Sequence, residues 1–127
     1  MTDTATTSSS GRRILFRVGW IVLLLLSALF AVNHIAGIWF IAASTDEQQL
    51  FEAFGVVNLL AIVLLVIPYR RREWWAWLTV WLTILPIALV VVFVPDAIGI
   101  TYVVTAGVMS LGQLATLPSF RPTRTAN

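Results

Sequence analysis

The 127 residues are 59% hydrophobic and 11% charged, with a mean hydropathy of +0.91, which leaves too little polar surface to cover a water-soluble globule and makes lipid the solvent. The net charge of +2 arises from eight basic residues and six acids; the basic residues cluster hard against apolar runs, the pattern of anchors meeting anionic headgroups rather than of a nucleic-acid surface. With no cysteine, disulfides, thiolate metal sites and a cysteine nucleophile are all excluded.

Residues 1–13 are mostly Thr, Ser, Ala and Gly with no apolar period and read as a disordered cytoplasmic tail. The apolar run that follows spans 14–43, far beyond the roughly 7 to 15 residues of a signal-peptide core, so it reads as a retained first helix. Ser44-Thr45-Asp46-Glu47-Gln48 then supplies a turn and a helix start, with Thr45 as N-cap, Gln48 as its capping-box partner and acids in the first turn. The second helix is expected over 47–67 and stops at Pro68.

Tyr69-Arg70-Arg71-Arg72 makes a short turn into a third helix over 73–94, so helices two and three are expected to be antiparallel neighbours. That helix opens on Trp74, Trp75 and Trp77, whose amphipathic rings suit the headgroup boundary. Pro86 lies at its middle and is expected to bend it, freeing a carbonyl near Leu82. Val94-Pro95-Asp96 is a minimal turn with Asp96 as cap for a fourth helix over 97–117, which Pro118 ends; 118–127 is read as a second cytoplasmic tail.

Threaded through a bilayer, this order puts Arg12, Arg13, Arg17, Arg70, Arg71, Arg72, Arg121 and Arg124 on one side with Asp3 and Glu73, and Asp46, Glu47, Glu52 and Asp96 on the other. Basic loops stay inside. The fold expected is therefore all-α: a transmembrane domain over 14–117, built as an antiparallel bundle of four transmembrane helices in the cell membrane with both termini cytoplasmic and the arginines as headgroup anchors.

The polar residues expected inside the hydrocarbon are few, and no acid, Lys or Arg is predicted there, which argues against ion pumps, proton-coupled transporters and voltage sensors. Counting about 1.5 Å per residue from Ala43 and from Leu50, His34 in helix one and Asn58 in helix two both fall roughly 12 to 14 Å in from the outer edge, with Asn33 beside them. Two readings of that level stay open. In the favoured one the three side chains hold helices together; in the other they line a pocket open to the outer leaflet, with His34 as donor or proton carrier. Ser27, on the same stripe as His34, is a packing residue, and Thr79 and Gln113 are expected to hydrogen-bond between helices three and four. No catalytic constellation is present: there is no Ser, His and acid arrangement, paired carboxylates, phosphate loop or His-x-x-x-His spacing, and neither a metal nor a cofactor is called for.

An Arg-led first helix ending in Asn33-His34, an acidic turn, Phe54 and Asn58-Leu59 in helix two, Pro68-Tyr69-Arg70-Arg71 before a Trp-rich helix three, and Leu111-Gly112-Gln113 in helix four together resemble small prokaryotic four-helix membrane proteins of the DoxX-like group. The resemblance covers about residues 14 to 118 and rests on topology. It implies fold and membrane location, with an association with membrane redox or lipid-linked processes, and carries over no functional residue. The expected role is a non-enzymatic accessory or oligomerising membrane subunit, whose partners are lipids, further copies or another membrane protein. The alternative is a small binder or transporter of a lipid or quinone-type molecule at the Asn33, His34 and Asn58 level. A filled core beside His34 favours the first and an open cavity there the second.

Overall fold

The computed structural model describes residues 4–121, and their side chains from residue 10 onward; the tail segments 1–3 and 122–127, with Asp3 and Arg124, lie outside the described residues. Among these the chain is all α, with α1 (Thr4–Phe40), α2 (Thr45–Val66), α3 (Trp74–Phe93) and α4 (Ala97–Thr116), then a short 3-10 turn at Leu117–Ser119. Each of the four helices is long and apolar enough to cross a membrane. Even the shortest, at 20 residues, reaches about 30 Å, the thickness of the hydrocarbon layer.

The distribution of side chains fits that solvent. Leu25, Leu29, Val32, Leu60, Leu82, Val92 and Leu111 are all more than half exposed, an apolar surface far larger than water tolerates on a monomer. Inward faces carry small residues instead. The buried stripe of α1 runs Gly19, Leu23, Ser27, Ala31, His34, Gly37 at spacings of three and four, and that of α2 runs Gly55, Asn58, Ala61, Leu65, a pattern that lets backbones approach where no hydrophobic effect draws helices together. A close backbone approach joins α1 to α4: a Cβ on Gly19 would run into the carbonyl oxygen of Gly112 and come within 2.8 Å of Thr116 Cγ2.

Helix ends follow local chemistry, with several departures from the sequence reading. Helix α1 begins at Thr4, ten residues before the apolar run, because once a turn is nucleated helix propagates through Thr, Ser and Ala at little cost per residue. The cap of α2 is Ser44 rather than Thr45, and its partner is Glu47 rather than Gln48. Ser44 Oγ accepts from the Glu47 backbone N–H at 3.2 Å while Glu47 Oε2 reaches back to accept from Ala43 N–H at 2.6 Å. A carboxylate takes both the capping hydrogen bond and the favourable helix-dipole position, which a neutral Gln takes less strongly. Asp96 caps α4 as its position predicts, accepting from Ile98 and Gly99 N–H at 2.8 and 3.2 Å. Helix α3 continues unbroken through Pro86.

Packing is uneven. Helix α1 packs along α2 and α4, and α3 packs along α4, whereas α2 and α3 touch only loosely although their connection is short. The reason lies in the stripes: the small face of α2 is spent on α1, leaving larger side chains toward α3.

Candidate functional site

The two ends of the bundle differ in kind. At the end that carries the α2–α3 turn, Tyr69 is fully buried. Its hydroxyl donates to Gln113 Oε1 at 2.8 Å and lies 2.5 Å from Thr116 Oγ1. Gln113 Nε2 donates to the Trp77 carbonyl at 2.6 Å, and Trp77 Nε1 donates to the Gln113 carbonyl at 3.2 Å. Phe16 and Phe120 close over Tyr69, with ring centroids 6.1 and 4.8 Å away. Every polar atom named here has a partner, which makes this end a lock rather than a site. Burial raises the Tyr69 hydroxyl above the ordinary tyrosine pKa, only partly offset by its contact with Thr116.

The six arginines expected as anchors, Arg12, Arg13, Arg17, Arg70, Arg71 and Arg72, are all exposed. Arg70 lies over the Trp20 ring at 5.4 Å and Arg72 over Phe16 at 5.2 Å, and Trp20 Nε1 donates to the Leu65 carbonyl at 2.9 Å, satisfying an acceptor in the last turn of α2. Arg72 closes the turn at a φ of 59°, a left-handed backbone that a non-glycine residue adopts only when the turn holds it there.

The opposite end holds the α1–α2 and α3–α4 turns and an open cavity of about 500 Å³ between them. Its lining is apolar, from Leu50, Phe51 and Phe54 of α2, Val90 of α3 and Ile98 of α4, with His34 and Tyr102 among the lining residues and Glu47 near the turns. His34 is buried and its imidazole is fixed on both sides. Nδ1 lies 2.7 Å from the Phe30 carbonyl, which can only accept, so Nδ1 carries the proton. In the neutral imidazole Nε2 is then the acceptor, and Tyr102 Oη, 3.2 Å away, is its donor. Phe30, Phe51 and Phe54 surround the ring at centroid distances of 5.3 to 5.9 Å.

A second, smaller cavity of about 290 Å³ lies in the loose α2–α3 contact, lined by Leu82, Leu85, Pro86 and Leu89 and sharing Phe54 and Val90 with the first.

The residues singled out in the sequence are not brought together as a cluster. His34 lies on the cavity, level with Phe51 and Gly55, whose Cβ would sit 3.8 Å from His34 Cβ. Asn58 is buried deeper along α2 and donates from Nδ2 to the Phe54 carbonyl at 2.7 Å. Counted from the start of α2 at Thr45 rather than from Leu50, Asn58 lies below His34. Asn33 is exposed in a groove between α1 and α4 with Thr101 and Thr105, since adjacent helical residues point about 100° apart. Ser27 is buried with no partner for Oγ. Gln113 does join α4 to α3, but Thr79 Oγ1 turns back to its own helix, donating to the Trp75 carbonyl at 2.8 Å. Trp74 and Trp75 are about half exposed, but Trp77 is 8% exposed and belongs to the core: it shares a face with Val80, Ile84 and Ile87, a periodicity that outweighs its closeness to the charged turn.

Tyr102 and Glu47 were missed as site residues. Glu47 reads in the sequence only as a first-turn acid, and the contact of Tyr102 with His34 depends on how α1 and α4 dock, which no local pattern encodes. Among the described residues no group of three or more His, Asp or Glu is placed to hold a metal ion. No protein family, curated protein or solved structure matches the chain, so the DoxX-like resemblance gains no support from them.

Proposed function

We propose that the chain is a cell-membrane protein of four antiparallel spans, with both termini cytoplasmic, that binds a lipid- or quinone-type molecule in the His34–Tyr102 cavity. The orientation rests on the arginines gathered at one end and on Asp46, Glu47, Glu52 and Asp96 at the other. The binding reading rests on one observation: beside His34 the bundle has a cavity of about 500 Å³ rather than a filled core. That size and its apolar lining with a few fixed polar groups are the general character of a small-molecule site. A subunit acting only through helix association has no use for an open cavity with an oriented imidazole beside it.

The test is native mass spectrometry of the protein extracted with its lipids, which reads retained ligand and oligomeric state together. The wild-type chain should carry a lipid-sized mass that His34→Gln and Tyr102→Phe lose while all three proteins remain folded. A ligand-free wild-type oligomer would return the chain to the accessory-subunit role.

A further inference from the structure

We infer that the ligand of this cavity is an uncharged, single-chain amphipath ending in a hydroxyl, with its head at Tyr102 and its chain leaving between α2 and α3. The inference rests on the binding reading above and adds the chemical class and the route.

The head follows from which hydrogen-bonding positions are already used. His34 Nδ1–H is given to the Phe30 carbonyl, and Nε2 takes the only proton of Tyr102. The Tyr102 oxygen, with its donor committed, is left as an acceptor. At Glu47, Oε2 holds the Ala43 N–H and the remaining carboxylate oxygen can only accept. The polar side-chain groups around the cavity therefore present acceptors, and the partner has to be a donor.

Charge narrows the class further. Asp46, Glu47, Glu52 and Asp96 are exposed at this end, and the described arginines lie at the other end of the helices, so an anionic headgroup is repelled. A cationic one would suit Glu47, but reaching Tyr102 means leaving water among Phe51, Phe54 and Ile98, a transfer far costlier for an ammonium than for a hydroxyl, which loses little once it is hydrogen-bonded. The route follows from the second cavity. It adjoins the first through Phe54 and Val90, and Leu82, Leu85 and Leu89 along it are about half exposed or more, so a chain can pass from the head position into lipid without crossing a polar surface.

The single histidine makes the site observable by itself. With the full chain labelled with 15N at His and held in phosphatidylcholine nanodiscs, 1-hexadecanol should shift the His34 Nε2 resonance saturably, and hexadecyl phosphate should need at least about ten times the concentration, a difference of about 1.4 kcal/mol. Tyr102→Phe should lose the response to hexadecanol. Glu47→Gln, which keeps an oxygen for the Ala43 N–H, should shrink the preference for alcohol over phosphate to about threefold or less. Hexadecanol carrying a mid-chain diazirine should label Leu82, Leu85 and Leu89 in preference to the outer face of α1. Hexadecyl phosphate acting on His34 at the same or lower concentration than hexadecanol would overturn the class while leaving the binding site standing. Labelling spread evenly over all four helices would overturn the route. Silence of His34 toward both probes would overturn this inference and the binding reading together.

Discussion

Removing the hydrogen bond between Tyr69 and Gln113 should destabilise the bundle by an amount that depends on the partner being present. Tyr69→Phe deletes a hydroxyl with two polar neighbours, Gln113 Oε1 and Thr116 Oγ1, and leaves a buried amide oxygen without its donor. Gln113→Leu keeps the volume but loses that same bond together with the donation to Trp77. Side-chain hydrogen bonds inside membrane proteins average about 0.6 kcal/mol and reach about 1.7 kcal/mol, so each single change should cost roughly 1 to 3 kcal/mol once the abandoned partner is included. The double variant should cost less than the sum, by about 0.6 to 1.7 kcal/mol, the part both singles remove. Unfolding with sodium dodecyl sulfate in mixed micelles, followed by tryptophan fluorescence, reads this directly because Trp77 is part of the network. Additivity within about 0.3 kcal/mol would mean the two side chains do not act as a unit and would refute the lock.

Reporter fusions at Asn127 and in the Ser44–Asp46 turn should read opposite compartments, with Asn127 cytoplasmic; the reverse assignment would invert the proposed topology. Gly19→Ala should lower stability by about 1 to 3 kcal/mol, because the atom it meets is the Gly112 backbone and cannot swing aside, whereas Gly107→Ala, where a Cβ meets nothing within 4 Å, should gain up to about 1 kcal/mol in the same micelle assay. Raising the pH through the ordinary tyrosine value of 10.0 should destabilise the fold, since Tyr69 keeps its proton in the native state while the unfolded phenol ionises. Its contribution is complete below that value and is lost as pH rises toward the elevated native one, so Tyr69→Phe should flatten the alkaline decline.

What could be read along the chain was whatever is set within one or two helical turns. Apolar runs of membrane length, Pro68, the Asp96 cap and the segregation of arginines all act locally or through the bilayer, and the four helices follow from them. The cap of α2 was one residue off because Ser44 and Thr45 are equivalent as hydroxyls and only the choice of Glu47 over Gln48 decides between them. Trp77 was misplaced for a related reason: a tryptophan near a charged turn has two favourable destinations, and the stripe it shares with Val80 and Ile84 settles which one. The site needed information of another sort. His34 stood out as the one imidazole, but its partner is 68 residues away on α4, and that contact depends on the α1–α4 docking that Gly19 and Gly112 permit.

On the proposed binding role, that docking also determines what the cavity can distinguish. In water an apolar pocket draws in any greasy molecule, because burial removes its surface from solvent; in a bilayer the competing molecule is a lipid tail that is as apolar as Leu85 or Phe54, so contacts with the cavity walls nearly cancel between ligand and lipid. Discrimination must then come from the few groups that lipid tails cannot satisfy, namely the Tyr102 oxygen held by His34 and the carboxylate of Glu47. A hydrogen bond from a donor head to Tyr102 has no counterpart in an acyl chain, and its strength depends on how firmly the phenol is oriented. The Phe30 carbonyl fixes the imidazole, the imidazole fixes the phenol, and the locked far end keeps α1 and α4 in register. Loosening the lock should therefore weaken selectivity for the head before it weakens retention of chains in general: Gln113→Leu should narrow the hexadecanol preference over hexadecyl phosphate even where the variant stays folded. An unchanged preference in a measurably destabilised variant would show that the two ends are energetically independent.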